Sequence, residues 1–197
     1  MTARAHGRLM VIGLFAVFFV PILVAWWLNL HTDQWRPSVT TNHGTLVVPA
    51  RPLSALGLRH LAGAPFDEGF LQGAWTLVFI GSVPCGADCA RQLYKVRQAR
   101  LALGKDMSRV RCLFAVVGTT KAEAVSKWDG SEPGLFLARA TPQWLEPFQL
   151  DREEPGKADR IYLVDPEGQL MMEYDVTTAA SGILKDLQRL LKISKIG

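Results

Sequence analysis

Cys85 and Cys89 are the two residues of this chain whose type and spacing could do chemistry, in the segment Cys85-Gly-Ala-Asp-Cys89. Thiolates are both nucleophiles and soft ligands, so a close pair has two uses. It can interconvert between dithiol and disulfide, or it can hold a soft metal ion such as Cu(I), which prefers sulfur donors. A third use is structural, a disulfide that only braces the fold. Four residues apart on a regular helix, two Cβ atoms stand about 5–6 Å apart, wider than the roughly 3.8 Å that a disulfide needs. Bond formation therefore requires Cys85 to lie outside the regular helix, which Pro84 and Gly86 permit.

The flanking sequence supplies the elements that would position the pair. Trp75–Ile80 (WTLVFI) is a continuous run of apolar β-formers, the pattern of a strand buried on both faces. A loop, Gly81-Ser82-Val83-Pro84, leads from it to Cys85. A helix is predicted from Ala87 to Leu103, with Leu93, Val96, Leu101 and Leu103 among its apolar positions and Gly104 as its stop. The cysteines thus fall at a strand-to-helix junction, where the partial positive charge and open N–H groups of a helix N-terminus stabilise a thiolate. Cys112 alternates with Val110, Phe114 and Val116 along a second predicted strand, Val110–Val117, and reads as a small buried hydrophobe.

Around this core, Gly44–Leu53 is broken by Pro49 and Pro52 and reads as an edge strand or an arm. Lys121–Trp128 reads as a helix, followed by a stretch punctuated by Gly and Pro as far as Gly156. Arg160–Val164 and Gln169–Tyr174 form a hairpin around the turn Asp165-Pro166-Glu167-Gly168. The closing helix is amphipathic, with Ile183, Leu184, Leu187, Leu190 and Leu191 on one side and Lys185, Asp186, Gln188 and Arg189 on the other. Strand–helix–strand–helix followed by a hairpin and a helix is an α/β plan, a parallel pair joined to an antiparallel one. The arrangement is also thioredoxin-like.

The remainder of the chain points to a membrane. Of 197 residues, 49% are hydrophobic, and the excess lies in residues 9–30 (LMVIGLFAVFFVPILVAWWLNL), which carry no charge. At 1.5 Å per residue this run can cross a hydrocarbon core roughly 30 Å thick. It is longer than the usual signal-peptide core, and no small-x-small cleavage site follows it, which favours a retained anchor over a cleaved signal. Trp26, Trp27 and Trp35 suit an interfacial aromatic belt. Arg4 and Arg8 precede the span, while after it Arg36 is offset by Asp33, so the positive-inside rule places the N-terminus in the cytoplasm. The expected organisation is a cytoplasmic N-terminus (1–8), a transmembrane helix (9–30), a linker (31–43) and one domain (44–197) of ordinary size. In a bacterium that domain occupies the periplasm, where disulfides persist.

Net charge is +4, and about +2 without Arg4 and Arg8, which gives no footprint for nucleic acid. Basic residues concentrate between Gly86 and Arg111: Arg91, Lys95, Arg97, Arg100, Lys105, Arg109 and Arg111. They read either as a solvated helix face or as a docking face for an acidic partner beside the cysteines.

At this point a resemblance emerges. Leu71–Cys89 (LQGAWTLVFIGSVPCGADC) and Ile161–Gly168 (IYLVDPEG) resemble the core of the Sco/SenC family. Asn42–Leu53 (NHGTLVVPARPL), the cysteine segment, and Arg91–Tyr94 through Arg100–Lys105 resemble its proteobacterial subgroup of cytochrome-oxidase-associated transmembrane proteins. The resemblance implies a membrane-anchored thioredoxin fold whose Cys85 and Cys89 exchange disulfides or handle Cu(I) for cytochrome c oxidase or its assembly factors. Two departures stand out. That family's copper site adds a histidine shortly before the Asp-Pro-Glu-Gly turn, yet Gly156–Arg160 contains none, and the proline after each cysteine is also missing. Met171 and Met172 are the available thioethers, although strand methionines usually fill cores. Pro155 lies several residues before the third strand, earlier than the proline of thioredoxin-type enzymes. Two other readings stay open: a membrane-tethered interaction module with a structural cysteine pair, and a general periplasmic thiol reductase.

Overall fold

The structure, a computed structural model, describes residues 3–31, 41–117, 133–148, 160–194 and 196. The predicted helix over 121–128, Pro155 and the 156–159 stretch lie outside them. The chain divides into two compact units, Met1–Thr41 and Asn42–Gly197.

The first unit holds one helix, α1 (Ala3–His31), with Pro21 inside it. Its stretch Met10–Leu28 is long and apolar enough to cross a membrane, and its large apolar side chains are exposed.

The second unit is built on a seven-stranded sheet. Its strands are β1 (Thr45–Pro52), β2 (Leu58–Arg59), β3 (Trp75–Ser82), β4 (Val110–Val117), β5 (Leu135–Ala140), β6 (Ile161–Val164) and β7 (Gln169–Tyr174). Their order across the sheet is β1-β7-β6-β3-β4-β5-β2. β3, β4 and β5 run parallel, while β6, β7 and β1 continue the sheet antiparallel from β3. β3 and β4 are in register, Leu77 beside Cys112 and Phe79 beside Phe114.

The unbroken apolar runs of β3 and β4 follow from this position, because both faces of the central strands are covered. On one face Trp75, Leu77, Phe79, Cys112, Phe114 and Val116 pack under α2 (Ala87–Leu101) and α4 (Ala180–Ile193). On the other, Val78, Ile80, Leu113 and Ala115 meet Leu53, Leu58, Phe66, Leu71, Trp144 and Phe148. Each fully buried Leu or Phe contributes about 1.5–3 kcal/mol from burial alone.

Three expectations change. The parallel set has three strands, not two, because β5 lies in the stretch read as Gly/Pro-punctuated loop. Its sequence, LFLARA, mixes good strand formers with Ala and Arg; pairing to β4 decides the outcome rather than propensity. α2 ends at Leu101, which is 43% exposed, and Leu103 rather than Leu101 is the buried position beyond the helix. Asp186, assigned to the polar side of α4, is 2% exposed. The edge-strand reading of Gly44–Leu53 holds, with β1 paired only to β7.

Candidate functional site

β3 delivers the chain to the site from the middle of the sheet. It runs on through Gly81 to Ser82, and Val83-Pro84 leads to Cys85. Gly86, extended at φ −74° and ψ −172°, is the N-cap of α2, and Cys89 sits in the first turn. Cys85 thereby lies outside the helix, as the geometry of a bridge demands. The two sulfurs are joined, S–S 2.02 Å, with Cα atoms 5.3 Å apart. The bonded sulfurs differ in access: Cys85 is half-buried, whereas Cys89 is 6% exposed within the core under α2.

The helix bearing Cys89 is fastened to the turn after β7. Gln92 donates from Nε2 to the Val176 carbonyl at 3.2 Å, and Lys95 donates to the same oxygen. Burial, and then the nearby Arg91, lower the Lys95 pKa from its ordinary value, with Asp175 opposing them. Asp175 in turn accepts from the backbone N–H and hydroxyl of Thr177, which hold its pKa below the usual carboxylate value.

The basic residues around α2 do not share one face. Arg91 pairs with Asp88, and Arg100 donates from Nε to the Val110 carbonyl at 2.7 Å. Arg109 closes on the C-terminal carbonyls of Leu191 and Ser194 at 3.1 and 2.7 Å. Arg111 donates to the Phe70 carbonyl and lies 5.6 Å from the centre of the Phe70 ring. Much of the cluster therefore serves as internal fastening, which neither the solvated-face nor the docking-face reading foresaw. Arg111→Ala is expected to cost about 1–2 kcal/mol, from one backbone hydrogen bond and one cation–π contact. Urea unfolding of the full chain in detergent checks it; a change below about 0.5 kcal/mol, the level of ordinary surface substitutions, would remove that role.

The two histidines of this unit are engaged away from the sulfurs. His60 stacks on Phe66, ring centres 3.8 Å apart. His43 directs Nδ1 to Asp186 Oδ1 at 3.0 Å, with its side chain 37% exposed. Asp186 Oδ2 accepts the backbone N–H groups of His43 and Gly44 at 2.8 and 3.0 Å. Burial, and then the Asp186 charge, drive the pKa of the buried Tyr174 hydroxyl far upward. Two glycines make room here: a methyl group on Gly44 would meet Met172 and Tyr174 at 2.7 Å, and one on Gly182 would meet the His43 ring at 3.0 Å. Helical periodicity put Asp186 on the wrong side, because its acceptor role is set by segments far off in sequence.

Cys112 is 3% exposed in the core, and Met172 is 1% exposed, so both are packing residues here. Among the described residues no three His, Cys, Asp or Glu side chains gather as a metal cage. While bonded to each other, Cys85 and Cys89 offer no thiolate. Reduced, they would offer two, a donor set that suits Cu(I).

Residues 75–194 match the family described as transmembrane-like, thioredoxin-like, C-terminal domain. The chain belongs to that family. Its fold is thioredoxin-like and of the Sco type. Sco1 of Thermus thermophilus, solved in its apo form, superposes with a TM-score of 0.62 at 21% identity, covering 78% of this chain and 99% of that one. Copper-bound Sco1 of yeast gives 0.60 at 16% identity over 74% and 93%. BsSco, a Sco-family cytochrome c oxidase assembly protein in which a disulfide switch has been identified, gives 0.57 at 16% identity over 74% and 96%. No protein with a curated description matches the sequence.

Proposed function

We propose that this family member is a membrane-anchored assembly factor for cytochrome c oxidase that works through Cys85 and Cys89 by thiol–disulfide exchange, by handling Cu(I), or by both. The observation that carries the reading is the bonded pair at the β3–α2 junction, with its more accessible sulfur outside the helix. The oxidase assignment draws on the Sco proteins that share the fold, BsSco among them. The apolar helix anchors the chain in the inner membrane, and the charges of Arg4 and Arg8 keep the N-terminus cytoplasmic and the thioredoxin-like unit periplasmic.

In the reduced protein the Cys85 thiolate attacks a partner disulfide, forms a mixed disulfide and expels one partner thiolate. Cys89 then attacks Cys85 Sγ, closes the observed bond and releases the second partner thiolate. Two electrons pass to the partner, and an external dithiol must return this pair to its reduced form.

Copper is cargo in this scheme. Yeast Sco1, which shares the fold, has been solved with copper bound. Two thiolates suffice for Cu(I), whereas a three-ligand Cu(II) site would lack its histidine in Gly156–Arg160. Anaerobic titration of the reduced full chain in detergent, against a competing Cu(I) chelator, is expected to show about one ion per chain, absent in Cys85→Ser/Cys89→Ser. Equal uptake by both proteins would sink copper handling and leave exchange alone.

A further inference from the structure

Gln92 is the one buried polar side chain on the face of α2 that carries Cys89. It follows Cys89 by three residues, so the two side chains are neighbours on the helix surface, and they are 5% and 6% exposed respectively. Its amide is half used. Nε2 donates to the Val176 carbonyl at 3.2 Å, and that bond fixes the orientation of the group. Oε1 is buried and accepts from no protein group among the described residues. A buried acceptor left without a donor is destabilising.

In the disulfide Cys89 has no hydrogen to give. Reduction of the Cys85–Cys89 bond by an external dithiol, itself oxidised to a disulfide, adds two electrons and two protons and leaves a thiol at each position. Cys89 then carries an S–H donor three residues before Gln92, on the same buried side of α2.

We infer that Gln92 is a positioning residue for the cysteine pair, its Oε1 accepting the S–H of Cys89 in the reduced protein and so tilting the pair toward the dithiol. This rests on the exchange reading above. The amide penalises the oxidised state, in which its oxygen is unsatisfied, and rewards the reduced state, in which it is satisfied. Both effects act in one direction. Because the Val176 bond pins the amide, the oxygen holds its place when the disulfide opens. Lys95, which shares the Val176 carbonyl but not the oxygen, supplies the control.

The test is equilibration of the full chain in detergent with dithiothreitol of graded redox ratio, comparing wild type, Gln92→Leu and Lys95→Met. Gln92→Leu is expected to shift the equilibrium toward the disulfide by roughly five- to tenfold, the upper figure corresponding to about 30 mV. Lys95→Met, which removes the other donor to Val176, is expected to leave it unchanged. An unshifted Gln92→Leu, or an equal shift in Lys95→Met, would overturn the inference, the latter by assigning the effect to the turn. A second readout is direct. With Cys85→Ser and Cys112→Ala leaving Cys89 as the remaining thiol, its S–H stretching band should move to higher wavenumber when Gln92→Leu is added; an unmoved band also overturns the inference. A wild-type disulfide that dithiothreitol cannot open would instead defeat the exchange reading, and the inference with it, which separates the two failures.

Discussion

In a Cys89→Ser variant, Cys85 is expected to hold its target in a stable mixed disulfide, whereas Cys85→Ser captures nothing. The asymmetry follows from position. Cys85 stands outside α2 and half-buried, so a partner disulfide can reach its sulfur; Cys89 is enclosed in the core with Leu93 and Val96. Attack by Cys85 on the partner disulfide leaves Cys89 to resolve the intermediate, and replacing Cys89 with Ser removes the resolving thiolate without blocking the first step. Both variants should lose turnover altogether. Non-reducing gels of membranes expressing each variant, probed for this chain, read the result. Capture of about one partner per Cys89→Ser chain is the expected outcome for a single nucleophile. Capture by Cys85→Ser instead would reverse the roles, and capture by neither would favour the structural disulfide of an interaction module.

The second large effect is on stability. Asp186→Ala is expected to destabilise the thioredoxin-like unit by about 3 kcal/mol or more, in the range seen when one partner of a buried charged network is removed. The carboxylate accepts two backbone N–H groups and faces the His43 ring, and its side chain is 1% exposed. Without it, the N–H groups of His43 and Gly44 lose their acceptor in the interior, each at a cost of about 1–3 kcal/mol. Asp186→Asn keeps the shape and one acceptor oxygen, so it should cost less. Urea unfolding of the full chain in detergent, with the disulfide intact, measures both. A midpoint unchanged in Asp186→Ala would mean that the β1 entry is held by packing and not by this carboxylate.

The Asp186 contacts also show how the unit is closed. β1 is an edge strand interrupted by Pro49 and Pro52, and it pairs only with β7. Such a strand has few ladder bonds to retain it. Asp186, reaching from α4 to the residues just before β1, supplies hydrogen bonds that the ladder cannot, and Gly44 and Gly182 let the segments approach closely enough for them to form. This lies on the same face of the sheet as α2, so the helix bearing Cys89 and the closing helix share one core.

Local patterns of the chain were sufficient for much of this. The continuous apolar runs of β3 and β4 announced strands covered on both faces. The charge-free stretch in residues 9–30 announced a helix fit to span a membrane, and the helix predicted from Ala87 left Cys85 just before its start. These features depend on neighbours in sequence, because hydrophobic periodicity and helix caps are written within a few residues of where they act. Other features depend on residues far apart. β5 is a strand because β4 lies beside it, and Asp186 is buried because backbone N–H groups 142 and 143 residues away need an acceptor. Likewise, Arg100, Arg109 and Arg111 are fasteners because carbonyls of other segments come within reach. Charge in a sequence is a local property, but whether it meets water or a buried partner is settled only when distant segments pack, and that is where the tertiary structure alone decided.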